Sequence, residues 1–439
     1  MKKEIKKVVF YGSSRTFRSS LIGNLYEIAQ VYPVIFLSED INKETEEILR
    51  DKKLFPKLEE IILFYPQAVP FKNIFQNNRH LYNLAKSVIN RYKPNIVISE
   101  SDFLPFDMYL MRFAKRIKAV TFSIPSGIGR DLNLIGKRAD LENAYYRFPK
   151  FLPLRIRFFF IRCRRYIGHI LYYWLLPLLV GERPFRGKSS FALYKGNAGM
   201  RDADYQIAFS KTDSDVYAET KVPLKKLYIL SHPLERETKF FFQKHLLKSN
   251  NHKGNQKTAT LLLPSDDIGF GSKDCSLISE EERFKTRIKI IRLVESILKG
   301  WKIFIKPHPD FKNFVERKKI FESIFDNIEI VNPLDSVDKY IGMSDVVIGM
   351  PIAISTVLFY ASLTSPEKAI ISLDFDKEMG GDYYKDFDGI EYIDNEDKFA
   401  EMLALIAADK YKKADNHKEN ANERKFADTI EMLNYLYNI

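Results

Sequence analysis

Lys306-Pro307-His308-Pro309 is the stretch of this chain whose residue types best suit chemistry. It closes an apolar run, Trp301-Lys302-Ile303-Phe304-Ile305, that reads as a β-strand. The two prolines fix φ on both sides of the histidine and argue against continuation as a central strand. The imidazole is expected on a stiff turn at the carboxyl end of a strand, the edge where open α/β sheets bind ligands. A lysine two residues before a histidine suits an anion, most naturally a phosphate. The bland alternative is an ordinary strand-exit turn.

Two other loops are expected to reach the same edge. Pro264-Ser265-Asp266-Asp267 follows the apolar run Thr260–Leu263, and Gly349 closes the run Asp345–Ile348. Beyond Gly349, Ser355 and Thr356 stand near the start of an apolar helix. Free backbone N–H groups and the helix dipole there favour a phosphate, and the hydroxyls add donors. Plain helix capping is the alternative for both hydroxyls. Ser265, Asp266, Lys306, His308, Pro309, Gly349, Ser355 and Thr356 are thus the candidate phosphate-binding set.

Earlier in the chain, Glu100 and Asp102 follow the buried run Ile96-Val97-Ile98-Ser99. A carboxylate or histidine at a ligand edge can take a proton from a hydroxyl, so Glu100, Asp102 and His308 are the catalytic candidates. Each acid could equally cap the next helix. Gly12, Ser13 and Ser14 follow the first apolar run, Val8–Tyr11, and are expected to shape the side that takes an acceptor.

The elements that hold these loops alternate strand and helix along most of the chain, which predicts parallel, doubly wound sheets. At 439 residues two domains are expected. The boundaries read as 1–247 for an acceptor-side domain, 248–257 for a polar linker (KSNNHKGNQK), 258–409 for a second domain, and 410–439 for a connector and a helix that packs back. Two cysteines, Cys163 and Cys275, supply neither a disulfide framework nor zinc spacing. No metal-binding pair of acids, HExxH, GxGxxG or P-loop pattern is present, so a metal-independent reaction with no cofactor is expected.

One segment departs from this texture. Residues 147–188 carry ten cations and a single acid, Glu182, around the apolar, aromatic run Tyr166–Val180. That run is shorter than the ~20 residues a spanning helix needs. Three readings stand: a helix lying in a membrane interface, a core helix with a basic outer face, or a strip that stacks single-stranded nucleic acid. The unbroken apolar run favours lipid or protein interior over bases. The net charge of +12 fits an anionic membrane surface and phosphorylated substrates, and no nucleic-acid module is recognised.

The order Lys306-Pro307-His308-Pro309, a strand ending in Gly349, then a Ser355-Thr356 helix start resembles the nucleotide-binding domain of type-B glycosyltransferases, built from two Rossmann-like domains. More narrowly it resembles the bacterial sialyl- and polysialyltransferases, Kdo transferases and teichoic-acid polymerases of surface polysaccharide synthesis. The resemblance implies that His308 and Pro309 form a His-Pro motif and that Ser355 and Thr356 form a serine motif, both on the nucleotide phosphates. It implies two α/β domains facing across a cleft, with the basic aromatic insert in the first. It also implies inverting transfer of a sugar from a nucleotide-sugar donor, CMP-linked in preference to UDP- or CDP-linked, to a glycan or lipid-linked acceptor. The expected location is the inner face of the cytoplasmic membrane. Phe359-Tyr360-Ala361 stand where such enzymes often place a ribose-binding glutamate, and Asp266-Asp267-Ile268-Gly269 only approximates their acidic motif. A sugar-nucleotide 2-epimerase or hydrolase shares the two-domain plan and is the alternative. A nucleic-acid binder is the non-enzymatic one.

Overall fold

The computed structural model describes residues 6–12, 22–39, 41, 43–64, 74–100, 105–124, 140–149, 151–184, 203–209, 214, 217–218, 222–231, 256–264, 269–271, 276–309, 311, 313–325, 327–335, 337–350, 356–365, 367–378, 384–385, 389–412 and 425–437. The chain divides into two compact units, Met1–Thr238 with Ala421–Ile439, and Lys239–Asn420. Of the expected linker, only Gln256 and Lys257 lie within the described residues.

The first unit holds an eight-stranded sheet. Its strands are β1 (Val8–Tyr11), β2 (Val34–Ser38), β3 (Leu58–Leu63), β4 (Ile96–Ser99), β5 (Val120–Ser123), β6 (Tyr205–Ala208) and β7 (Leu227–Leu230), joined at one edge by a short strand, Lys425–Phe426. From that edge the order is Lys425–Phe426, β7, β6, β5, β4, β1, β2, β3, every pair parallel. The first strand is therefore internal, with later strands added first on one side and then on the other. Val8–Tyr11 and Ile96–Ser99 are buried along their whole length, as strands covered by helices on both faces must be.

The second unit repeats the plan with β8 (Thr258–Leu263), a small antiparallel pair β9 (Gly269–Phe270) and β10 (Leu277–Ile278), then β11 (Lys302–Pro307), β12 (Ile328–Ile330), β13 (Val346–Gly349), β14 (Ala369–Leu373) and β15 (Glu391–Ile393). The main sheet runs β12, β11, β8, β13, β14, β15, all parallel. Its core includes an apolar cluster that holds Leu261, Ile291, Ile305, Ile348 and Leu403, and Phe304, Val331 and Tyr340 form a smaller one. The helix Glu280–Ile297 opens on a capping box: the Ser279 hydroxyl accepts from the Glu282 N–H, and the Glu282 carboxylate accepts from the Ser279 N–H.

The expectation that the prolines end the strand before Lys306 needs correction. β11 continues through Lys306 and Pro307, which pair with Leu262 and Leu263. The proline is tolerated because pairing with β12 has already ended at Ile305, so Pro307 lies at a local edge where no ladder donor is needed.

Candidate functional site

In a sheet of this order the crevice lies at the carboxyl ends of the two strands between which the direction of winding reverses. For the second unit those strands are β8 and β13, with β11 on the far side of β8. His308 leaves β11 at this edge. Its N–H donates to the Leu263 carbonyl (2.9 Å), and its own carbonyl accepts from the Phe311 N–H (3.0 Å). These two bonds hold the turn to the end of β8, while His308 and Pro309 are exposed. Gly349 ends β13 level with Leu262 of β8 and Ser372 of β14. The His-Pro turn and the exit of β13 therefore flank the end of β8 from opposite sides.

Gly349 has a packing role that can be read directly. A Cβ placed on it would lie 2.7 Å from the side chain of Leu358, which is fully buried on the helix Thr356–Thr364. The absence of a side chain lets this helix sit close on β13, with its amino terminus at the same edge. Thr356 opens that helix, although its side chain, like Ser265, Asp266 and Ser355, lies outside the described residues.

Lys306 is placed away from the exposed turn. It is buried, and its ammonium donates to the carbonyls of Pro307 (2.9 Å) and Pro333 (2.7 Å). Burial lowers its pKa to about 8, with Asp335 opposing the shift.

The same edge carries a charged network that the sequence did not announce. A small cavity of about 30 Å³ is bounded by Pro264, Met350 and Leu373 at the strand ends and by Arg283 and Arg287 from the helix Glu280–Ile297. Arg283 and Arg287, one helical turn apart, are both buried. The Arg283 Nε lies 2.8 Å from the Glu378 carboxylate, and Thr286 Oγ1 donates to Asp376 Oδ1 (2.7 Å). Burial raises the Asp376 pKa against the pull of Thr286 and both arginines. Asp374 accepts from the Glu378 N–H (2.9 Å) and from the Tyr392 hydroxyl (3.0 Å). With Asp374, Asp376 and Glu378 set against two arginines, the network has no surplus of positive charge for a phosphate. It fastens the loop after β14 to the helix.

In the first unit the winding reverses between β1 and β4, whose last residues Tyr11 and Ser99 are register partners. Gly12 and Glu100 follow them directly, so these two predicted residues stand together at the crevice of that sheet. Four groups join them that sequence reasoning did not select. The Tyr11 hydroxyl donates to Glu39 Oε1 (2.8 Å), and the Ser99 hydroxyl donates to Asp107 Oδ1 (2.9 Å). Asp107 is fully buried in the first turn of the helix Pro105–Arg116, where the dipole favours a carboxylate. Burial, and then the charges of Asp107, Glu39 and Glu100, hold the Tyr11 pKa well above its ordinary value. The phenol is a fixed donor in a cluster of carboxylates. Glu39 was findable, since it follows β2 just as Glu100 follows β4. Ser13, Ser14 and Asp102 lie outside the described residues.

Among the described residues no group of three or more His, Cys, Asp or Glu is arranged to hold a metal ion. No protein-family model matches the chain, and no curated protein matches its sequence. Solved structures do match its fold. The UDP-GlcNAc 2-epimerase of Methanocaldococcus jannaschii superposes with a TM-score of 0.54 at 10% identity, covering 98% of this chain and 99% of that one. The same enzyme in complex with UDP-GlcNAc and UDP gives 0.52 at 11% identity, with 98% and 99% covered. Another UDP-N-acetylglucosamine 2-epimerase gives 0.51 at 11% identity, covering 92% and 87%. The chain has the GT-B-like fold. These neighbours are epimerases, rather than the polysaccharide transferases that the His-Pro and serine motifs resemble.

Proposed function

We propose that this chain is an enzyme acting on a nucleotide-linked sugar, held by its phosphates at the carboxyl edge of the second sheet. The observation that carries this reading is the placement of the His308 turn and the β13 exit on either side of β8, where a doubly wound sheet offers its crevice. His308 would donate to the phosphates, and the helix opening at Thr356 would turn its free N–H groups toward them. Glu100 and Glu39, beside the fixed Tyr11 phenol at the crevice of the first sheet, are the acid–base candidates for the proton that either sugar chemistry moves.

The reaction we favour is 2-epimerisation of a UDP-sugar, in line with fold neighbours that are UDP-GlcNAc 2-epimerases. We therefore rank UDP ahead of the CMP donor that the glycosyltransferase resemblance implied. A second reading, glycosyl transfer, is favoured by one feature: an exposed helix of aromatic and basic residues, suited to an enzyme with a lipid-linked acceptor.

A single assay separates the two. UDP-GlcNAc, with CMP-, GDP- and CDP-linked sugars as comparisons, is incubated with the protein and followed by NMR. The 2-epimer forming without lasting nucleotide release supports epimerisation, and release that depends on an added acceptor supports transfer. His308→Ala should weaken nucleotide binding about tenfold, the effect of losing a hydrogen bond to a charged group. Glu100→Gln should lower turnover while leaving that affinity unchanged. Absence of both conversion and nucleotide binding across the panel would remove the proposal.

A further inference from the structure

The first unit carries a helix with too much apolar surface for water. Leu154–Ile170 is α-helical, Leu171–Leu175 forms a π-turn, and Leu176–Leu179 completes the rod. The π-turn sits just before Pro177, whose missing N–H would break an α-helical ladder there. At the far end Gly181 takes a positive φ of 78°, and the Glu182 N–H donates back to the Pro177 carbonyl (2.9 Å), which ends the helix.

One side of this rod is docked. Tyr173 belongs to the core cluster of the first sheet, and Leu171 and Leu176 pack on Ile74. Asn78 Nδ2 donates to the Leu176 carbonyl (3.0 Å). Glu182, the lone acid of 147–188, is buried and receives Arg116 Nη2 at 2.5 Å. The acid is therefore occupied inside, and the outer face presents cations without acids.

That outer face carries a stripe at helical spacing: Phe159, Tyr166, Ile167, Ile170, Trp174 and Leu178 fall on one side of the rod and are all exposed, Trp174 to 53% and Ile167 to 61%. At 3.6 residues per turn, Arg155 and Arg162 fall on one flank of this stripe and Arg164 on the other, all three exposed. An apolar stripe edged by arginines on both sides, with aromatic rings among its members, matches the boundary between acyl chains and anionic headgroups. No helix among the described residues is long and apolar enough to cross a membrane. We infer that this face of the helix lies in the surface of an anionic lipid bilayer, with the apolar stripe at the acyl boundary and the arginines on the phosphates. The inference does not rest on the proposed sugar-nucleotide site, so either can fail without the other.

The test uses the full chain and vesicles of phosphatidylcholine with or without phosphatidylglycerol. Flotation should show binding to the anionic vesicles at low salt, weakened at high salt, with little binding to phosphatidylcholine alone. Replacing Arg155, Arg162 and Arg164 together by Gln should reduce affinity about 100-fold, since each cation near an anionic leaflet contributes about a fivefold factor. These side chains are exposed, so circular dichroism should be unchanged. In a Trp301→Phe background the remaining tryptophan is Trp174, and its emission should shift to the blue on binding. Any one of the following would overturn the inference: no binding to anionic vesicles at low salt, no change at Trp174, or a lipid-free dimer broken by Trp174→Ser. Tighter binding to single-stranded RNA than to the vesicles would overturn it as well. If the triple variant does not fold, the lipid and salt series of the wild type still decides.

Discussion

Lys306 stands two residues before His308 in a turn that reads as an anion site, yet its ammonium faces the carbonyls of Pro307 and Pro333 inside the fold. Residue type was legible, but side-chain direction was not, because the second acceptor comes from a loop 27 positions away. Lys306→Met should leave both carbonyls short of a donor and destabilise the second unit by about 1–3 kcal/mol. Nucleotide affinity should be unchanged. Denaturant unfolding and calorimetric titration check the two halves, and a large loss of affinity in a stable variant would return Lys306 to the binding site. The pH dependence has a definite sign. Its folded pKa is depressed from 10.5 to about 8, so between these values the unfolded chain holds the proton more tightly. The wild type should therefore gain stability over the variant as pH rises through this window, and a flat difference would mean the ammonium is solvated. Glu39 shows the opposite case. Its position after β2 followed the same rule that selected Glu100 after β4, and only the Tyr11 hydroxyl bond makes its place in the cluster visible.

Elements buried on both faces were the easiest to read. Val8–Tyr11 and Val346–Gly349 appear in the sequence as short unbroken apolar runs, and Ala369–Leu373, interrupted by the buried Ser372, and Leu227–Leu230 have the limits that their runs suggest. The two-residue strands β9, β10 and Lys425–Phe426 are too short to have a period at all. The helix Ile74–Tyr92 shows a regular apolar spacing only from its middle onward, at Leu81, Ala85, Val88 and Ile89. Asn78 interrupts the apolar pattern before it, although it is buried, donating to Leu176 and accepting from the Tyr109 hydroxyl (2.9 Å). The segment 147–188 read in three ways because its sequence serves both a docked face and an exposed one, and the structure contains both. Contact between elements gives the next prediction. Gly349→Ala would push a methyl into Leu358 and lift the helix Thr356–Thr364 from β13. Overpacking of this kind costs about 1–3 kcal/mol, so the melting temperature of the second unit should fall. Unchanged stability with impaired nucleotide binding would instead mean that Gly349 is needed for the approach of a ligand.

Across the whole chain, the second unit is an insertion between the parts of the first. After the polar stretch 410–425, which gave no sign of a strand, Lys425–Phe426 pairs with β7 and the helix Thr429–Tyr437 packs on Ile22–Val31. The Thr429 hydroxyl meets Asn24 at 3.1 Å and Glu27 at 2.5 Å, and Tyr32 donates to Asn434 (2.6 Å), contacts that close loops of some 400 residues. The apolar face of that last helix was readable, but its partner was not, since nothing local distinguishes docking on the first sheet from docking on the second. Closing so long a loop adds entropy only logarithmically, so the return is thermodynamically tolerable, though contacts this distant form late in folding. Ending the chain at Asn420 would expose the sites now covered by Phe426, Met432, Leu433 and Leu436, all buried. At about 1.5–3 kcal/mol for each such side chain, the loss is on the order of 5 kcal/mol or more, comparable to the stability of a domain. The truncated protein should show a first unit that is protease-sensitive and melts early, while residues 239–420 keep their melting transition and their nucleotide affinity. Scanning calorimetry with limited proteolysis reads both, and a second transition that falls in step with the first would show that the two units unfold as one.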